Sequence, residues 1–515
     1  MNEISIYPDW TSLAPPLMAL LIAIIMRSIF PALFIGIWTG AWLTLGGGLN
    51  NVALSFVNVF DKNILESLYN RDRLMVICFT LMIGGFITLL SANGGMRGIL
   101  NAVKHYTKTP KSGQAAISGL GFIFFFDGIA NALLIGKTMQ PVVDRLRVSR
   151  EKLAYIVDST SAPLASIAIA SSWIGYEISL IQGVGEGLQN FPENAYAVFL
   201  QSIKYSFYPI LTIILVWTIA VTGKDFGPML KAEQKARRSK NTPQQSKNER
   251  TDKSYILNAA LPITVLLITL AMVMWTSGTG ASFQEIMGSS DSFKALMWSS
   301  FLATICAGGI ALFRRHLKFD EILASWIKGV QMTVVSLLVL ILSWSLADVT
   351  QGLRAADFLV SFIGDDISAV IIPVVVFLVA SVTAFSTGTS WGTMAILLPL
   401  TIPLVWSSAL ADPSLYYLLP ATVAAIINGA TFGDHCSPIS DTTIISSLAS
   451  GCDHLEHVRT QAPYAIFTAL LAIACIIPVG YGVPWWLCLS LAISALILFV
   501  KYVGKSADDP IGLDK

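Results

Sequence analysis

The sequence predicts an all-α polytopic membrane protein made of two inverted repeats. Each repeat is expected to hold a re-entrant hairpin and a discontinuous transmembrane helix, in about 11–13 membrane segments overall. Three observations predict this class. Of 515 residues, 54% are hydrophobic and only 13% charged, against roughly 25% charged in soluble domains. Apolar runs near the length that spans a bilayer recur from end to end. Acidic and hydroxyl residues interrupt those runs at related places in the two halves.

In chain order the apolar runs are 12–26, 31–48, 74–92, 115–141, 153–180, 198–221, 255–277, 293–313, 329–347, 368–406, 415–450, 462–480 and 484–502. The start, MNEISIYPDW, is acidic and lacks the basic opening of a cleaved signal, so the first helix is expected to remain. Lys and Arg settle which gaps face the cytoplasm. The gap 222–254 holds nine of them against four acids, and its NTPQQSKNER composition predicts a flexible cytoplasmic linker. The gaps 97–111 and 144–152 are also basic. A run between two cytoplasmic gaps must enter and return, which makes 113–143 a hairpin with FFFDGIANALL near its tip. In the second half the sides exchange. The stretch 349–367 is acidic and 407–414 has no positive charge, so 368–406, interrupted by AFSTGTSWGT, reads as a hairpin from the outside.

The organisation is therefore a repeat over 1–221, with hairpin 113–143 and broken helix 153–180. The linker 222–254 follows, then an inverted repeat over 255–480 with hairpin 368–406 and broken helix 415–450. An extra helix and cytoplasmic tail occupy 481–515. The N-terminus is expected outside. Each broken helix reads Asp, small hydroxyl residues, Pro: YIVDSTSAP around Asp158 and Pro163, FGDHCSPISD around Asp434 and Pro438. Inverted repeats with discontinuous helices are a layout of secondary transporters.

A charged side chain at mid-membrane costs at least about 2.5–3.5 kcal/mol on insertion scales. Asp127, Asp158, Asp434 and Asp441 therefore need a reason. One reading is structural: Asp and Ser accept from the free N–H groups of a helix start. The other is a cation site, in which unwound carbonyls and side-chain oxygens surround Na⁺ while a carboxylate carries either Na⁺ or a proton. The candidate ion and proton ligands are Asp127, Asn131, Asp158, Ser159, Thr160, Ser386, Thr387, Thr389, Asn428, Asp434, His435, Ser437, Asp441 and Thr442, with Na⁺ at Asp127, Asp158 and Asp434. His435 also suits a pH sensor or proton shuttle. A zinc reading of His435, Cys436, Cys452, His454 and His457 is disfavoured, because the last three fall in a short surface loop near Arg459. Trp38, Trp42, Trp173, Trp485 and Trp486 read as interface anchors, with Tyr176 and Glu177 just outside. No nucleotide motif, catalytic triad or disulfide spacing stands out, so an enzyme or ATP-driven pump is not expected.

The run ATFGDHCSPISDTTIISSLASGCDHLEHVRTQAPYA resembles the NhaC-type sodium/proton antiporter family. Its matching residues include Gly433, Asp434, His435, Cys436, Ser437, Pro438, Asp441, Thr442, Thr443, Cys452, Asp453, His454 and Gln461. The resemblance implies a multi-pass protein of the bacterial inner membrane that exchanges Na⁺ or Li⁺ for H⁺ and needs no cofactor. Similar sequences exchange organic acids such as malate and lactate, so a Na⁺- or H⁺-coupled organic acid or amino acid carrier is the alternative. Lys137 is the one deep cation that would face such a carboxylate. Expected partners are the bilayer, the ions, a small organic acid in the alternative and a second copy in a homodimer; nucleic acid is not expected.

Overall fold

A computed structural model describes residues 10–508 apart from 27, 97, 99–105, 126–127, 170, 192–193, 239–252, 281–285, 287–289, 356–357 and 359–368. Among the described residues nine helices are long and apolar enough to cross a membrane, or ten if one bent pair is a single span. Trp10–Ala23 and Ile29–Thr44 are apolar but shorter. The polytopic all-α class holds, and among the described residues the strands are one pair of two-residue segments. Leu257, Leu261, Ile268, Met272 and Trp275 are each at least half exposed along one helix, as a lipid-facing stripe requires.

The chain forms two compact units of interleaved segments. The first contains Met1–Leu89, Ser172–Ser206 and Leu261–Gly433; the second contains Leu90–Ser171, Phe207–Ala260 and Asp434–Lys515.

In the first unit, Ile372–Thr387 and Ser390–Ala411 pack against each other across a tight turn. Gly388 caps the earlier helix at φ 68°, a conformation that glycine adopts without strain. Thr389 then opens the next helix by accepting from the Gly392 N–H. The expected hairpin 368–406 is thus two helices of 16 and 22 residues. Small residues let the Leu418–Cys436 helix come close: a Cβ at Gly429 or Gly433 would overlap the carbonyl oxygens of Phe377 and Ser381. Arg73 forms a two-pronged ion pair with Asp348, at 2.6 Å on both arms.

In the second unit, Pro110–Ile123 and Gly128–Leu146 pack together within the stretch expected as the first hairpin. Asp127, at its expected tip, lies outside the described residues. The Arg150–Ser159 helix runs beside both limbs, and His454–Gly480 packs against it. Of the expected linker 222–254, the NTPQQSKNER stretch lies outside the described residues, and the part before it is structured. Lys224–Asp225 pairs antiparallel with Lys505–Ser506, and Gly227–Arg238 is a helix with Met229 and Glu233 buried. Its AEQKARR stretch consists of strong helix formers, and one buried face fixes it to the unit.

Candidate ion-binding site

The first broken helix stops because Pro163 has no N–H for the carbonyl one turn back. Arg150–Ser159 ends there, and a short helix restarts at Ala162 with the proline in its first turn. Between them the Asp158 carbonyl accepts from Ser161 N at 3.1 Å and Ser161 Oγ at 2.9 Å. Asp158 itself is fully buried. Its Oδ2 accepts from Gln461 Nε2 at 2.6 Å, with His457 Nε2 at 3.6 Å. Its Oδ1 has no hydrogen-bond partner among the described residues, and no Lys or Arg there pairs with it.

The second broken helix follows the same chemistry. Leu418–Cys436 ends before Pro438, and Asp441–Ser450 begins after Ser440. The Asp434 carbonyl, one turn before the proline, accepts instead from Ser437 N at 3.1 Å and Thr443 Oγ1 at 3.3 Å. The Asp434 carboxylate accepts from Ser440 Oγ at 2.7 Å and Thr442 Oγ1 at 2.8 Å. Both its oxygens are thereby held, and Asp434 ties the two sides of its break together. Asp158 has no such pair of hydroxyls.

His435 connects the breaks. Its Nε2 donates to the Asp158 carbonyl at 3.3 Å, which leaves Nδ1 to accept from Tyr208 Oη at 2.9 Å. Gln461 Nε2 also donates to the His435 carbonyl at 2.9 Å. Asn131 donates to the Thr160 carbonyl at 2.9 Å and to the Gly121 carbonyl at 3.2 Å, tying the first hairpin to the first break. Asn131 Oδ1, Ser159 Oγ and Gln461 Oε1 are, like Asp158 Oδ1, buried without a partner among the described residues. Native proteins leave few such atoms unsatisfied. These are all oxygens, the ligand type a hard cation such as Na⁺ takes.

The unit therefore brings together Asn131, Asp158, Ser159, Thr160, Asp434, His435, Ser437 and Thr442 from the expected set. Asp127 and the side chain of Asp441 fall outside the described residues. Ser386, Thr387, Thr389 and Asn428 belong to the other unit. There Thr387 bonds its own helix, and Asn428 Nδ2 donates to the Tyr205 carbonyl at 3.0 Å.

Several expectations change. His457 is fully buried facing Asp158, not in a surface loop, because its helix starts at His454 and carries it inward. His454, part of the zinc reading already disfavoured, contacts the Pro438 carbonyl and Ser447 Oγ. Trp173, Tyr176 and Glu177 are buried in Ser172–Gly185 against other helices, not exposed as surface residues. Lys137 is on an exposed face of its helix. Gln461 was legible only as part of the long motif, and Tyr208, in a plain apolar run, carried no signal.

Many spanning helices, two proline-broken helices and a buried carboxylate whose one neighbouring counter-ion among the described residues is a titratable histidine define a membrane-embedded secondary transporter of cations. The model of the Na⁺/H⁺ antiporter family matches residues 164–481, and the chain belongs to that family. Asp434, His435, His457 and Gln461 lie inside the match; Asp158 precedes it. An uncharacterised protein of Haemophilus influenzae is 30% identical over 505 residues, 95% of each chain. The malate-2H⁺/Na⁺-lactate antiporter of Bacillus subtilis is 32% identical over 146 residues, 24% of this chain and 30% of that one. In fold, the chain is similar to the YdaH transporter of Alcanivorax borkumensis, with a TM-score of 0.58, 12% identity and coverage of 84% of this chain and 90% of that one.

Proposed function

We propose that the protein exchanges Na⁺ or Li⁺ for H⁺ across the plasma membrane by alternating access, with Asp158 as the group that holds either ion. The observation that carries this is the Asp158 carboxylate: buried, held on one oxygen by Gln461 and open on the other. A buried carboxylate whose neighbouring counter-ion is a histidine that can lose its charge is costly to leave ionised. A mobile cation removes that cost, and Na⁺ and H⁺ compete for the same oxygen. Their competition couples the two flows. His457 and His435 lie beside the carboxylate and its carbonyl as proton relays. Asp434 supports the site through its hydroxyl partners.

Two inverted repeats suit this mechanism, and the like chemistry of the two breaks supports them. A cytoplasmic face for the linker and the tail is supported by the basic charge of 222–254 and by the pairing of Lys224 with Ser506. The second reading, cation-coupled exchange of an organic acid, is favoured by the name of the Bacillus subtilis relative. The exposure of Lys137 weighs against it.

The test is transport in proteoliposomes, with a Na⁺ gradient applied and internal pH read by a trapped dye. Proton movement that needs Na⁺ and no organic solute is expected, and Asp158→Asn should abolish it. A requirement for added malate or lactate would transfer the assignment to the second reading. Unchanged exchange in Asp158→Asn would remove Asp158 from the site.

A further inference from the structure

Glu177 is fully buried within Ser172–Gly185. Neither of its carboxylate oxygens has a hydrogen-bond partner among the described residues. The donors nearby are engaged elsewhere. Tyr176 Oη donates to the Trp391 carbonyl at 2.5 Å, and Trp344 Nε1 donates to Ser179 Oγ at 3.2 Å. Aromatic rings pack on the residues just before it: Trp391 lies 4.3 Å from the Tyr176 ring and 6.0 Å from that of Trp173, and Phe79 packs on Gly175.

The charged groups of this region gather toward the other end of the helix. Arg73 approaches Gly183 and is committed to Asp348 on both arms. Glu186 accepts from Asn70, whose own oxygen caps Asp72 and Arg73. The adjoining Ser390–Ala411 helix has no charged residue. An ionised Glu177 would thus have lost its water and gained neither donor nor counter-ion among the described residues. A proton satisfies the carboxylate without a coordination shell, whereas Na⁺ needs several oxygens around it.

We propose that Glu177 is a proton-binding site of the first unit, carrying a proton in this conformation and releasing it during exchange. The step is simple protonation, carboxylate plus H⁺ giving the carboxylic acid and back. It would add one proton to that exchanged at Asp158. This rests on the antiport reading, and the measurements separate the two.

Infrared spectra of the full chain in lipid nanodiscs at neutral pH should show the carbonyl stretch of a protonated carboxyl that Glu177→Gln removes. In proteoliposomes, the null potential at fixed ion gradients gives protons exchanged per sodium; Glu177→Gln should lower this by one. An unchanged infrared band, or an unchanged ratio, overturns the proposal. If the unaltered protein shows no Na⁺-dependent proton movement, the antiport reading fails and the infrared result alone decides Glu177. If Glu177→Gln does not assemble, Glu177→Asp decides, since the band must then move; a band that stays in place overturns the assignment.

Discussion

Gln461 donates to the Asp158 carboxylate at 2.6 Å across 303 positions of sequence. Among the described residues that bond is the one direct hydrogen bond on a carboxylate otherwise approached by His457. A hydrogen bond to a charged group is worth about 1.5–3 kcal/mol. Gln461→Leu should therefore raise the Na⁺ concentration for half-maximal exchange by roughly tenfold or more. Initial rates of Na⁺-driven proton movement against Na⁺ concentration provide the check.

Asp434 should behave differently from Asp158. Thr442→Val removes one of its two hydroxyl donors, and the expected loss is stability, about 1–3 kcal/mol. Thermal unfolding in detergent should show a lower Tm. The ratio of Na⁺ to Li⁺ activity should stay that of the unaltered protein.

Lys152 is fully buried and forms an ion pair with Asp225, which also accepts from Tyr464 Oη at 2.6 Å. Removing one partner of a buried pair strands the other charge and costs about 3–5 kcal/mol. Lys152→Met should accordingly lower Tm strongly. The double variant Lys152→Met with Asp225→Leu should recover much of the loss, and a double-mutant cycle on Tm measures the coupling.

Glu233 gives a pH dependence of known sign. Burial pushes its carboxyl above the ordinary value of 4.5, with Lys152 opposing and Asp225 adding to the shift. The docked helix thus binds a proton more tightly than the undocked one. Its docking is firmest below 4.5 and weakens as pH rises through the shifted value. Hydrogen exchange of 227–238, normalised to an unstructured peptide, should speed up with pH across that window. Glu233→Gln should flatten the trend.

Close helix approach supplies a steric prediction. Gly433→Ala pushes a methyl group into the Ser381 carbonyl and should cost about 1–3 kcal/mol. Gly309, with nothing near its missing Cβ, is the control: Gly309→Ala should leave Tm unchanged or raise it slightly. Both are read by thermal unfolding.

What sequence could show follows from how far each signal reaches. Spanning helices are written in local hydropathy, and both breaks in the local order of Asp, hydroxyl and Pro, so these were legible. Which carboxylate is held and which left open was not. Asp158 and Asp434 have similar flanking residues, and their difference lies in Gln461, His457 and Thr442, contacts that no nearby spacing encodes. Glu177 misled for the same reason. A glutamate after a tyrosine reads as an interface residue until tertiary packing encloses it. The helix at 227–238 was hidden by the low-complexity stretch beside it.

The short antiparallel ribbon joining Lys224 to Ser506 has a practical consequence for reporters. A fluorescent protein fused after the last residue and an epitope inserted near position 240 would share one aqueous compartment, so a membrane-impermeant quencher should reach both or neither. The ribbon also makes the tail a poor place to trim, since ending the chain at Gly504 would remove the strand that pairs with Lys224–Asp225 and leave the basic helix held by its buried face alone.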